Sequence, residues 1–530
     1  MNQDGVSDLY FIDKRSTDRL LQDISKSVLN NYPRETLLSI EESKQTALKI
    51  LSYVEDRMKC LLSNNTNEIL LMRLFELHHA LQQWKQLLRD RFNGISSFLA
   101  NFGLEYSDQV SFAQQYSETD NAVCFLIENI IRYNYTVTDT QRISYDDYNM
   151  LFACADELYM IGQYLDVLNL RQEYARLEIL VSGRFCFPLE EMNLYSKYFE
   201  KLRQLEFNDS KLMSLKMELI PEYQIDTENY HFKSAFFKEF GLEYDTYLNI
   251  LYQCVNYSIN YEIPICVMPE EEFSKQFFND ANHDNYYIFK KHFVLSKESA
   301  SNLQHSEFWP HRYNRAFQLS TRPWIYYNNK IWYSYKSLLV SFKIYKERLS
   351  TGAFRAKSKE MTAFQGKLRE DKGSMFNKQM CLLFEHAGGN EIKVFQSIKI
   401  GKNEKLKNKV DLGDIDLLLI NPNQKKIICI ELKNYTESRT LWSFLNQNRE
   451  SNSDLKQVLK RDKWCKSHIR DFNILDNDVN EDYSLMTVFL TNNIQTYKYI
   501  QAENSEITLM EVSDILDAPL TIFNIFDNSK

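Results

Sequence analysis

The chain has 530 residues, 44% hydrophobic and 14% aromatic, with only 13 Gly and 9 Pro; this implies two to four compact, mainly helical domains without long flexible linkers. Its formal net charge of −9 argues, taken whole, against a nucleic-acid binder. Nine scattered cysteines without a C-x-x-C pair, no uncharged apolar run of membrane-spanning length and the opening MNQDGVSDLYFIDKR point to a reducing cytoplasm, no zinc framework, no membrane and no signal peptide.

In chain order, helices are expected at 16–30, 39–63, 68–92, 119–133, 145–181, 189–205 and 234–261. The clearest is 68–92, where Ile69, Leu70, Met72, Leu74, Phe75, Leu77, Leu81, Trp84, Leu87 and Leu88 form a broad apolar face and Asn65 and Glu68 supply a capping box ahead of it. No internal repeat stands out, and a stacked helical array stays open. His78-His79 and His283-Asp284 read as core or surface residues rather than ligands. There is no P-loop. The helical region 1–310 is thus read as a regulatory or recognition part, through which a protein partner or a second copy would dock.

From 311 to 371 the pattern changes. Arg322-Pro323-Trp324-Ile325-Tyr326-Tyr327 and Lys330-Ile331-Trp332-Tyr333 flank Asn328-Asn329 as a β-hairpin. Its rings suit either base stacking or, more commonly, cross-strand packing. A helix over 337–349 and a basic connector follow.

The last part, 372–530, reads as α/β. An amphipathic helix over 374–386 closes at Gly388-Gly389. A strand over 392–398 precedes two more, Gly413-Asp414-Ile415-Asp416-Leu417-Leu418-Leu419-Ile420 and Ile427-Ile428-Cys429-Ile430-Glu431-Leu432-Lys433, joined by the turn Asn421-Pro422-Asn423-Gln424. Then come a helix over about 453–469, a strand over 484–490 and an edge strand near 507–510. The two middle strands are almost continuously apolar, as expected of strands buried on both faces. Ionised groups in such runs carry a large desolvation cost unless paired or bound to metal. Glu431 and Lys433 share a strand face, and Asp416 reaches it from the neighbouring strand. Two carboxylates with open positions suit Mg²⁺ or Mn²⁺ better than zinc. The plain alternative is that Asp416 and Glu431 sit at strand ends, with Lys433 pairing one of them.

Asp416 on one strand and Glu431-x-Lys433 on the next, within the order helix, three strands, helix, strand, resemble the PD-(D/E)XK, or restriction-endonuclease-like, nuclease superfamily over about 372–493. The resemblance implies a central mixed sheet flanked by helices, and a metal-dependent endonuclease, with DNA favoured over RNA. Asp416, Glu431 and the Leu432 backbone carbonyl would hold the metal, and Lys433 would position and help deprotonate the attacking water. Gln457, on the following helix, matches a glutamine found in many members. Where many members carry a Glu on the first helix, this chain has Asn377; Glu385 and Asp414 are the candidates for an additional acid. A large helical extension on such a core resembles restriction and anti-phage defence effectors. The competing reading is a catalytically weak fold that binds nucleic acid or protein within an assembly.

Charge offers an independent line. Residues 341–470 hold 27 Lys and Arg against 15 Asp and Glu, a balance of +12 that leaves −21 on the remainder. The clusters Lys399, Lys402, Lys405, Lys407, Lys409 and Lys456, Lys460, Arg461, Lys463, Lys466 are candidates for a phosphate-binding surface.

Overall fold

A computed structural model describes residues 12–92, 106–135, 142–170, 176–187, 226–278, 283–312, 315–435, 438, 441–492 and 507–527. These form two compact units, one from the described residues up to 365 and one from 366 onward. No helix among the described residues is long and apolar enough to cross a membrane, and all nine cysteines are free.

The first unit is mainly helical. Helix Ile40–Asn65 starts at a capping box made by Ser39 and Glu42, and buries Ala47, Ile50, Leu51, Val54, Met58 and Leu62, an i, i+3, i+4 stripe. Helices Lys14–Ser27, Glu68–Phe92, Tyr106–Tyr133 and Tyr145–Leu170 accompany it. The cap of Glu68–Phe92 is Asn67, whose side chain accepts the Leu70 amide at 2.9 Å. Asn65, expected in that role, is the last residue of the preceding helix. The helix expected over 145–181 ends at Leu170; residues 171–175 and the whole of 189–205 lie outside the described residues, and Glu178–Ile179 is a strand. The helix expected over 234–261 is two, Tyr230–Phe240 and Tyr244–Asn260. Gly241 separates them at φ +71°, donating to the Phe237 carbonyl at 2.7 Å, a left-handed stop that glycine adopts without a Cβ penalty.

The aromatic hairpin forms as expected, Trp324–Tyr327 against Lys330–Ser334. Asn328 and Asn329 turn it at φ +50° and +58°, the double left-handed geometry of a type I′ turn. It is not part of a separate segment over 311–371. Lys330–Ser334 pairs with Ile265–Pro269, and Trp324–Tyr327 with Val294–Leu295. Trp324, Tyr327, Trp332 and Tyr333 are no more than 1% exposed. These rings are packing, closed to bases.

Most of helix α1, Lys359–Gly388, belongs to the second unit; it is longer than expected and takes up most of the basic connector. Strands β1 (Lys393–Gly401), β2 (Leu406–Lys407), β3 (Gly413–Asn421) and β4 (Lys426–Lys433) follow, then α2 (Leu441–Ser467), β5 (Ser484–Thr491) and the edge strand β6 (Thr508–Glu511). The sheet order is β6-β5-β4-β3-β1-β2. β3 is antiparallel to β1 and β4, whereas β5 is parallel to both β4 and β6. The short β3–β4 turn permits only antiparallel pairing, while the passage through α2 permits the parallel return of β5. One face packs Phe376, Met380 and Phe384 of α1 on Leu417, Leu419, Ile428, Ile430 and Leu432. The other packs Cys465 of α2 with Leu418, Ile420, Ile427 and Cys429. Burial on both faces is why these strands read as unbroken apolar runs.

Candidate active site

In the β3–β4 ladder, Leu417 pairs with Ile430 and Leu418 with Cys429. The ladder ends there, one residue short of Asp416 and Glu431, which are close enough for the Glu431 charge to act on the Asp416 carboxyl. The ladders open around Asp416. On the β1 side the paired residues step from Ile415–Ile398 to Leu417–Gln396, passing Ser397, which sits at φ +52°. On the β4 side the Leu432 amide donates to Asp416 Oδ2 at 2.7 Å. Alternation slips here too: Ile415 joins the cluster of Leu418 and Ile420. The turned strand lets Asp416 Oδ1 accept a longer bond, 3.4 Å, from Asn377 Nδ2 of α1.

Glu431 is held at both oxygens. Lys433 Nζ lies 3.0 Å from Oε1, and Arg461 Nη2 of α2 lies 2.7 Å from Oε2. Behind the lysine, Asp454 Oδ2 accepts from Tyr435 Oη at 2.6 Å and stands 3.9 Å from Lys433 Nζ. Asp454, Gln457 and Arg461 share one face of α2 by their i, i+3, i+7 spacing.

The electrostatics follow from this crowding. Burial, then the Glu431 charge, pushes the Asp416 carboxyl up to about 7, Asp414 adding to the effect and the Leu432 amide and Lys433 opposing it. Burial pulls the Lys433 ammonium down, but Glu431 and Asp454 outweigh it and leave its pKa raised. Lys433 is therefore charged, a hydrogen-bond donor rather than a base. The donor set is carboxylate oxygen, and Asp416 has a proton affinity that a hard divalent cation would displace, so the residues fit Mg²⁺ or Mn²⁺. The Leu432 amide donates to Asp416.

The remaining sequence candidates fall out unevenly. Asp414, two residues from Asp416, is half-buried and adds negative charge. Glu385 is exposed and accepts from Cys381 Sγ at 3.5 Å; eight residues past Asn377, about 12 Å along the helix, it is not brought to Asp416. Gln457 is exposed. Arg461, expected among solvated phosphate-facing cations, is 7% exposed because Glu431 draws it inward. Lys466 likewise pairs with the buried Asp462, at 2.8 Å. Lys399, Lys402, Lys405, Lys407, Lys409, Lys456, Lys460 and Lys463 are exposed. The β1–β3 register, with Ile400 beside Gly413 and Lys399 beside Asp414, sets the Lys402–Lys409 loop at the sheet end that carries Asp416, Glu431 and Lys433.

Asp454, Tyr435 and the inward role of Arg461 were not singled out in the sequence. The spacing of Asp454 and Arg461 on either side of Gln457 is the signal that marks them as one face. In the helical unit, His78 Nδ1 lies 3.1 Å from Asp120 Oδ1 and 3.6 Å from Cys124 Sγ. Gln82 binds both oxygens of the same carboxylate at 3.0 Å, so this group is already a satisfied hydrogen-bond cluster.

No curated protein and no solved structure matches the chain. Residues 372–489, which hold Asn377, Asp416, Glu431, Lys433, Asp454 and Arg461, match a family model described as the nuclease-related domain, and this likeness is consistent with a nuclease-like C-terminal unit.

Proposed function

We propose that the C-terminal unit is a Mg²⁺- or Mn²⁺-dependent nuclease of the PD-(D/E)XK kind that hydrolyses phosphodiester bonds, in DNA in preference to RNA. The observation that carries this reading is the nearness of the Asp416 and Glu431 carboxylates, with Lys433 on the second, in a stretch similar to the nuclease-related domain. Asp416 and Glu431 would hold the metal, which when bound polarises the scissile phosphate. The Lys433 ammonium orients the incoming water and offsets negative charge on the phosphate, and Tyr435 and Asp454 keep that side chain in place. The exposed lysines of the 402–409 loop and of α2 draw the polyanion toward this end of the sheet. A restriction or anti-phage defence role, with the helical unit as its sensor, accords with this activity.

A second reading, a weakly catalytic nucleic-acid-binding module, is favoured by two observations. Arg461 already neutralises Glu431, and Asn377, which is uncharged, is the α1 residue that meets Asp416. The two readings separate in a cleavage assay on supercoiled, linear and single-stranded DNA and on RNA, with Mg²⁺, Mn²⁺ or EDTA. Metal-dependent cleavage that drops at least 100-fold in Lys433→Ala supports the nuclease. Binding of the same substrates without cleavage under any metal supports the module.

A further inference from the structure

The helical unit contains a cavity of about 320 Å³, at the low end of the ~300–1,000 Å³ typical of small-molecule sites. It opens between the ends of helices Tyr230–Phe240 and His283–Phe293, helix Tyr335–Thr351 and the loop that follows it. The cations that line it are Arg315, Arg322, Arg348, Arg355 and Lys357, against the acids Glu239 and Glu307.

Both acids are already engaged. Glu239 accepts the backbone amides of Lys357 and Ser358 at 2.7–3.0 Å. Glu307 accepts the Ala316 amide at 2.7 Å and pairs with Arg355 at 2.5 Å. Arg315 is matched outside the cavity by Glu128. Arg322 has no carboxylate partner among the described residues; its guanidinium makes one long bond, 3.4 Å, to the Lys291 carbonyl. Burial alone holds it down to about 10. Its field is felt nearby: burial, then Lys291, Arg322 and Lys357, pushes His292 down to about 4. A half-buried guanidinium without a carboxylate partner leaves donors open to an anion.

Tyr345 lines the same space. The Tyr345 hydroxyl is buried without a hydrogen-bond partner, on a residue only 5% exposed. Beside these polar groups stand flat apolar surfaces. The half-exposed Phe354 ring lies 6.0 Å from Phe240 and 5.4 Å from Tyr345. Cationic and aromatic side chains thus line one cavity, which suits a ligand that joins an anion to a planar ring.

We propose that this cavity is a binding site for a nucleoside phosphate, with the phosphate on Arg322 and the base against Phe354. Charge-assisted bonds from a guanidinium suit phosphate oxygens, and stacking on an aromatic ring suits any base. The site is independent of the carboxylates of the C-terminal unit.

Titration calorimetry on the full chain in EDTA, with AMP, GMP and ATP as probes and adenosine and inorganic phosphate as part-ligands, tests this. At least one nucleotide should bind at micromolar to sub-millimolar concentration, and adenosine and phosphate at least tenfold more weakly. Arg322→Gln and Phe354→Ala should each weaken the nucleotide at least tenfold, while Lys346→Gln, on the exposed side of the same helix as Tyr345, should not. Phe354→Ala keeps the test valid if Arg322→Gln unfolds the unit, as judged by circular dichroism. Absence of nucleotide binding, phosphate or adenosine binding as tightly as the nucleotide, or unchanged binding in well-folded variants would each overturn the assignment.

Discussion

Arg461 Nη2 donates to Glu431 Oε2 at 2.7 Å, joining α2 to the end of β4 through side chains about one-tenth exposed. An arginine that would otherwise add to a basic surface thus acts as the internal counter-ion of a site carboxylate. With Lys433 on the other oxygen, both Glu431 oxygens are engaged before any ligand arrives.

Arg461→Ala should therefore act on stability first. Losing one partner of a buried pair costs ~3–5 kcal/mol when the remaining charge is left alone. Lys433 stays on Glu431, so a smaller loss of about 1–3 kcal/mol is expected for the charge-assisted bond. Urea denaturation measures it. In the Arg461→Ala, Glu431→Gln double variant the cost should fall well below the sum of the singles, and strict additivity would show the pair uncoupled.

Metal binding should depend on pH through Asp416. Its carboxyl sits at about 7, so protons compete with a divalent cation below that value and Mn²⁺ affinity should fall about tenfold per pH unit there. The metal-free unit has the opposite trend. A carboxyl with a raised folded pKa binds its proton more readily in the native state, so stability declines as pH rises from about 4 through 7. Thermal denaturation of metal-free protein at pH 5.5 and 8 should show this decline, and Asp416→Asn should make it shallower. A variant whose pH dependence equals the wild type would place the proton elsewhere.

Reversing Lys402, Lys405 and Lys407 to Glu should weaken duplex DNA binding and flatten its salt dependence. Each lost phosphate contact lowers the slope of log K against log salt by about 0.9, so the full effect is a slope about 2–3 shallower. Fluorescence anisotropy between 50 and 200 mM salt, ordinary conditions for such a titration, reads it directly. An unchanged slope would mean that the substrate approaches another face.

Truncation separates the two proposed boundaries. A fragment starting at residue 311 keeps the hairpin but loses its strand partners Ile265–Pro269 and Val294–Leu295, exposing Trp324 and Trp332. It should aggregate. A fragment starting at residue 359 keeps α1 and the whole six-stranded sheet and should be monodisperse in size-exclusion chromatography. The reverse result would show that the hairpin belongs with the C-terminal unit.

The order of elements in the C-terminal unit, its turn at Asn421–Gln424 and the closeness of the charged groups Asp416, Glu431 and Lys433 were legible in the sequence. Period-2 geometry, a short turn and charges embedded in apolar runs are local properties that a strand displays in its own residues. The likeness over residues 372–489 covers the same stretch. What the local pattern could not contain is the partner brought in from far along the chain. Arg461 looks like any surface arginine until α2 lies across the sheet and the desolvated Glu431 oxygen needs a donor. Asn377 meets Asp416 because the ladder opens at Ser397, a backbone twist that no spacing rule announces. The hairpin's tryptophans are closed to ligands only because two distant strands cover its edges. Arg322 and Phe354 came to line one cavity in the same way. Local periodicity sets which residues form strands and helices, but the desolvation that turns a charge into a counter-ion or a binding group arises only when separate elements exclude water from it together.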